Sequence, residues 1–271
     1  MTQVTVRHLW KEFEAQVVLE NVNLHVADHE FVTIVGASGC GKTTFLRMLL
    51  GVESPSRGEF LIDGLPLPQE PGPDRGIVFQ RYSLFPHLTV LDNLLLGLEF
   101  RGSPLLGRLH GARRREAIAK ADHLLDAVGL NASRNKYPAQ LSGGMQQRLS
   151  IAQSVICEPK ILLLDEPFGA LDPGITGDMH ELILKLWNMN KMTIFMVTHD
   201  LKESFYLGTR LLVFDKVRVD SQAQNRYGAT ITYNIPLKGH RCIQALGAAC
   251  VTDKLTKDEQ NILRYPFPLG R

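Results

Sequence analysis

Apolar and polar residues follow two different periods along this 271-residue chain, and the switches between them outline its elements. Val4 to Leu9 and Val22 to Val26 alternate apolar with polar side chains, the pattern of strands with one buried face. Phe31 to Val35 is a continuous apolar run, and Ile161 to Leu164, Thr193 to Val197 and Arg210 to Phe214 are similarly apolar. Such short runs predict strands covered on both sides. Glu59 to Ile62 and Gly76 to Phe79 predict further strands, separated by a loop rich in Pro and Gly from Pro66 to Pro73. Helical spacing is predicted over Lys42 to Leu50, and again from Thr89 to about Cys157. Within that second stretch Ala117, Ile118, Ala121, Leu124, Leu125 and Val128 share one face of a helix from Arg113, and Gly129 stops it. Ile175 to Asn190 is amphipathic, with Pro173 near its start. Ala229 to Pro236 alternates like one more strand, and Thr256 to Leu263 reads as a helix. Apolar strands alternating with helices predict an α/β fold whose mainly parallel sheet is covered on both faces.

Composition alters this picture little. Thirty Lys+Arg against 28 Asp+Glu leave a net charge of +2, which makes no electrostatic case for nucleic acid. The main basic run, Arg113-Arg114-Arg115, reads as the solvated start of a helix rather than a patch for a membrane or nucleic acid. Cys40, Cys157, Cys242 and Cys250 have no metal-type C-x-x-C spacing. A disulfide at Cys40 would obstruct the glycine-rich loop that contains it, so a reducing, cytoplasmic compartment is expected. The triplet Asn131-Ala-Ser133 carries no glycosylation meaning there. The opening MTQVTVRHLW has no apolar signal core, and no run of about 18 uncharged apolar residues occurs, so no bilayer-spanning helix is expected.

Three stretches carry chemistry. Gly36-Ala-Ser-Gly-Cys-Gly-Lys42-Thr43 fits G-x-x-x-x-G-K-[ST] between a predicted strand and a predicted helix. Backbone N–H groups from Ser38 to Thr44, through Gly39, Cys40 and Gly41, can converge on phosphate oxygens, and the helix adds its positive end. Lys42 supplies a cation for β- and γ-phosphates, and the Thr43 hydroxyl can ligate Mg²⁺. Ile161 to Leu164 delivers two adjacent carboxylates, Asp165 and Glu166, at the carboxyl end of a buried strand, where open α/β sheets bind ligands. LSGGMQQR, Leu141 to Arg148, places Ser142, Gly143 and Gly144 at the start of a helix containing Gln146, a second anion site or an ordinary N-cap.

In that order, GASGCGKT, LSGGMQQR and ILLLDEP resemble the ATP-binding cassette (ABC) ATPases, and the resemblance runs from about Val4 to Phe214. It implies a P-loop NTPase (RecA-like) core with an N-terminal antiparallel β subdomain and an α-helical subdomain. The expected division is an ATPase domain over residues 1–220, its helical subdomain at about 81–157, and a short extension over 221–271. The resemblance implies ATP hydrolysis in a head-to-tail dimer, where Ser142, Gly143, Gly144 and Gln146 cap the nucleotide of a second protomer. Asp172, in Gly169 to Asp172, would then lie near the dyad. By the same resemblance Asp165 holds Mg²⁺ and Glu166 is the general base. Gln80 binds Mg²⁺ or water through its amide oxygen and senses the γ-phosphate, and His199 in Val-Thr-His-Asp is the switch histidine. Phe13 matches the aromatic that stacks on adenine, with a core Phe on a strand as the other reading. Trp10 is the alternative stacker, and Val18 packs against base or ribose.

Gly-Ile-Val-Phe-Gln80, Leu84 to Asn93 and Pro167 to Asp172 resemble bacterial importers of the nitrate, sulfonate and taurine group. The implied partners are a second ATPase protomer, a separate integral membrane permease and an external solute-binding protein, with the chain peripheral on the cytoplasmic face of the inner membrane. Nucleic acid is not expected. Three other readings compete. Exporter ATPases share these catalytic residues. Soluble superfamily members acting on ribosomes or DNA usually join two cassettes or insert a long coiled coil. A simple P-loop kinase has no use for LSGGMQQR. The tail is expected to be too short for the regulatory β-domain that some importer ATPases carry.

Overall fold

The structure, a computed structural model, describes residues 2–14, 16–80, 83–102, 107–169, 171–218, 222 and 226–237. The chain divides into two compact units, Met1–Glu70 with Phe195–Arg271, and Pro71–Ile194.

The first unit begins with strands β1 (Val4–Phe13) and β2 (Gln16–Val26), followed later by β4 (Arg57–Ile62) and β5 (Leu65–Pro66). They form an antiparallel sheet in the order β2-β1-β4-β5. Val4 pairs with Val26 on one side and Ile62 on the other. The alternation that predicts β1 stops early because the pairing with β2 shifts register between Val6 and Leu9, between Leu9 and Lys11, and again beyond. His8 takes φ 47° within the first shift. Such bulges turn a strand without ending it, so both strands run longer than their period-2 signal.

β3 (Phe31–Gly36) is buried at every residue and leads into α1 (Lys42–Leu50), the expected helix. Phe45 locks α1 in place. Its ring lies 5.6 Å from Phe60, 5.4 Å from Phe214 and 6.5 Å from Phe195, tilted against each. Full burial of such a ring contributes about 1.5–3 kcal/mol. β9 (Arg210–Asp215) runs parallel to β3, and β10 (Thr230–Pro236) adds antiparallel to β9. The predicted strand over 229–236 is therefore an edge strand; the helix expected over 256–263 lies outside the described residues. The unit's larger sheet reads β10-β9-β3-β8, where β8 (Thr193–Val197) is the strand in which the division between units falls.

In the second unit, β6 (Arg75–Val78) pairs parallel with β7 (Ile161–Asp165). Helices α2 (Val90–Gly102), α3 (Gly111–Ala127), α4 (Gly143–Val155) and α5 (Pro173–Asn190) account for the helical stretches read from the sequence. Arg113 and Arg115 are exposed on α3, and Arg114 reaches Glu99 of α2 at 2.9 Å, so the basic run is a solvated helix start with one anchoring member. Among the described residues no helix is long and apolar enough to cross a membrane.

Among the described strands and α-helices, the short strand β5 and the helix α6 (Leu201–Leu207) have no counterpart in the sequence patterns. At seven residues α6 is too short to display a 3.6-residue period; its start is set locally by Asp200, which accepts from the Lys202 N–H at 2.7 Å.

Candidate functional site

Within the first unit, the loop from Gly36 to Gly41 connects a fully buried strand to a helix that begins without a side-chain cap. Small residues are required there for steric reasons. A Cβ on Gly36 would sit 2.2 Å from the Phe214 carbonyl oxygen. Gly41 has φ 87°, in the left-handed region, and a Cβ there would meet Leu19 Cδ2 at 2.8 Å and Val18 Cγ1 at 2.9 Å. Ala37, Ser38, Gly39 and Thr43 are exposed, whereas Cys40, Gly41 and Lys42 are buried and Thr44 is half-buried. The loop thus offers backbone outward and keeps its cation inside. Lys42 Nζ donates to the carbonyls of Gly36 at 2.8 Å and Ala37 at 2.9 Å, with Cys40 Sγ at 3.9 Å. Burial pushes the Cys40 thiol above its ordinary pKa, against the pull of Lys42.

Val18 lies against the loop at Gly41, its Cγ1 2.9 Å from where a Cβ on that glycine would stand. Phe13 is 41% exposed at the end of β1, which removes the reading as a core Phe. Lys11 Nζ sits 4.5 Å from its ring centroid, so one face of the ring is backed by a cation. Trp10, the alternative stacker, instead carries the Arg57 guanidinium 4.3 Å over its ring. His199 is exposed in the turn after β8. That turn is pinned one residue earlier: the Thr198 hydroxyl donates to Glu203 at 2.5 Å and accepts from the Asp200 N–H at 3.0 Å.

The second unit brings together Gln80 and the carboxylate end of β7. Gln80 Nε2 donates to Glu166 Oε2 at 3.3 Å. Asp165 and Glu166 are half-buried, and Glu166 has φ 50°, a left-handed conformation unusual for a residue with a side chain. The Gly169 N–H bonds the Glu166 carbonyl at 3.3 Å and closes the turn.

The signature segment forms the N-terminus of α4. Ser142 is its N-cap, accepting from the Met145 N–H at 3.4 Å, and Ser142 and Gly143 are exposed. Gly144 is buried, with Ile175 Cγ2 3.1 Å from where a Cβ would stand. Gln146 turns inward: its Nε2 donates to the carbonyls of Pro138 at 3.0 Å and Leu141 at 3.3 Å. Its amide braces the approach to the helix, unlike Ser142 and Gly143, which stand at the exposed tip. Asp172 N-caps α5 without a side-chain bond and is exposed.

The signature motif points to Gln146, but the tertiary contact to the β7 turn belongs to its neighbour Gln147. Gln147 is fully buried and its Nε2 donates to the Pro167 carbonyl at 2.6 Å. The available signal was helical phase, since Gln147 stands three residues after Gly144 and so on the same face.

Residues 19–169 match the family described as ABC transporter. The chain is 45% identical over 197 residues to the nitrate import ATP-binding protein NrtD of Synechocystis sp., covering 73% of this chain and 70% of that protein. It is 43% identical to the taurine import ATP-binding protein TauB of Rhizobium johnstonii, over 72% and 71% of the two chains. Among solved structures it resembles the ATP-binding cassette MJ0796, a dimer in a post-hydrolysis state bound to ADP and Pi. There the TM-score is 0.68 at 30% identity, over 87% of this chain and 99% of that one.

Proposed function

Because this chain belongs to the ABC transporter family, as an ATP-binding and ATP-hydrolysing subunit, we propose that it powers import of a small solute through a separate membrane permease. Two copies work head to tail, peripheral on the cytoplasmic face of the inner membrane, and an external binding protein delivers the solute. The nitrate- and taurine-importing relatives point to a small polar or anionic cargo.

The observation that carries this reading is the presence of two exposed phosphate-type helix N-termini in a chain with one cassette. The loop before α1 presents Ser38, Gly39 and Thr43, and the start of α4 presents Ser142 and Gly143. A chain acting alone needs one. Two-fold pairing gives the second a ligand, the γ-phosphate bound by the partner.

Roles follow from chemistry. Lys42 and the amides of residues 38–44 hold the phosphates, Phe13 and Val18 the adenosine end, and Asp172 the contact near the dyad. Glu166 takes the proton of the attacking water, oriented by Gln80, while His199 holds the γ-phosphate in line. Thr43, Gln80 and Asp165 offer hard oxygen donors, which suit Mg²⁺. The amide nitrogen of Gln80 is engaged by Glu166, so oxygen is the end it gives a cation. When bound, Mg²⁺ neutralises charge on the phosphate oxygens. Residues 81–157 are proposed as the helical subdomain facing the permease.

The test is reconstitution. The chain, co-purified from membranes with its permease and placed in proteoliposomes with the matching binding protein, is expected to hydrolyse ATP in step with solute accumulation. ATP hydrolysis with no permease retained through purification would overturn the importer assignment.

A further inference from the structure

We propose that Gln147 is a positioning residue that ties the signature helix to the catalytic carboxylate of the same chain. The proposal rests on the roles given above to Glu166 and to the N-terminus of α4.

Gln147 lies on the face of α4 that Gly144 begins, and Gly144 is packed against Ile175 in the first turn of α5. Its Nε2 donates to the carbonyl of Pro167 at 2.6 Å, and Pro167 follows Glu166 directly. Its Oε1 is buried with no hydrogen-bond partner among the described residues. Buried amides are usually satisfied at both ends. One satisfied only at its donor end is held there by that single bond, and packing alone would be better served by an apolar side chain.

The place that bond acts on is already strained. Glu166 holds a left-handed φ of 50°, a conformation that persists only when its surroundings over-determine it. Three contacts among the described residues contribute to this. Gln80 holds the carboxylate, the Gly169 N–H holds the Glu166 carbonyl, and Gln147 holds the next carbonyl along the chain. The last of these comes from α4. A helix moves as a rigid rod, so a displacement of Ser142 and Gly143 on meeting the partner's nucleotide is transmitted through Gln147 to the backbone that aims Glu166. Each copy would thereby read the occupancy of the opposite site and adjust its own base. No proton or electron passes through Gln147; it acts on Glu166 through the backbone.

Two variants test this, with Glu166→Gln as reference. Gln147→Met keeps length and removes the donor; Gln147→Glu keeps shape and replaces the donor with an oxygen. Each is expected to bind ATP with unchanged Kd, to lose about tenfold in kcat, and to show a Hill coefficient for ATP falling to 1, as read by phosphate release. A structural bond would lower Tm while leaving kcat and the Hill coefficient at wild-type values, and that result overturns the proposal. If one variant does not fold, the other decides. Turnover retained in Glu166→Gln would instead overturn the base assignment beneath it, so the two failures are told apart.

Discussion

Gln80 Nε2 and Glu166 Oε2 stand 3.3 Å apart, the amide of one strand end donating to the carboxylate of the next. Strands β6 and β7 are parallel neighbours, so both side chains emerge at the same end of the pair. That position lets Gln80 fix where the carboxylate points. Replacing Glu166 with Gln removes the proposed base and keeps the shape. Turnover is expected to fall by about 10²–10⁴-fold while ATP still binds. Phosphate release and size-exclusion chromatography with ATP check it: the variant should accumulate as a nucleotide-trapped dimer, and unchanged hydrolysis would refute the role.

Ser142 stands exposed at the tip of α4. Arginine there places a long charged side chain where the proposed pairing brings the partner's phosphate. Ser142→Arg is expected to bind ATP as a monomer with normal affinity and to hydrolyse almost none. Nucleotide titration and light scattering are sufficient, and full ATPase activity in this variant would end the facing-pair reading.

Phe13 and Trp10 are separated by what already covers them. Arg57 occupies the Trp10 ring, and Lys11 backs Phe13 while leaving it 41% exposed. Base-on-aromatic stacking is worth about 1–3 kcal/mol. Phe13→Ala is thus expected to weaken ATP binding about 5- to 150-fold. Trp10→Ala should leave Kd near wild type and lower Tm through the lost Arg57 contact. Equal losses in both would place the base elsewhere.

Burial raises the Cys40 thiol above its ordinary pKa, so less thiolate exists in the folded chain at any given pH than in the unfolded one. Alkylation by iodoacetamide at pH 8 should therefore be slower in the native protein than after denaturation, and slower still with ATP bound. The sign for stability follows. The contribution is fully present below the unfolded thiol value of about 8.5 and is lost as pH rises through the higher folded value. A Cys40→Ser variant should lose less stability between about pH 8.5 and 10 than the wild type, as measured by urea unfolding.

The parts of the fold legible in the sequence were those with a strong period or fixed spacing. α1 spans the predicted Lys42–Leu50 because glycines bound it on both sides, Gly41 before and Gly51 after. Register-shifted strands were legible only in part: β1 runs on to Phe13, but the left-handed turn at His8 breaks the alternation that would have marked it beyond Leu9. Adjacent glutamines could not be distinguished by type. Gln146 is expected to cap the partner's nucleotide, yet its amide nitrogen serves Pro138 and Leu141 within its own chain, while Gln147 reaches Pro167. Which carbonyl a long amide finds depends on tertiary neighbours that no local pattern encodes.

The left-handed backbone at Glu166 sets heat resistance against work at one codon. A side chain in that conformation costs about 1–2 kcal/mol, which glycine does not incur. Glu166→Gly is therefore expected to melt at a higher temperature than the wild type while hydrolysing nothing. A library selected only for surviving heat should enrich glycine at this position, and one selected for ATP hydrolysis should keep glutamate.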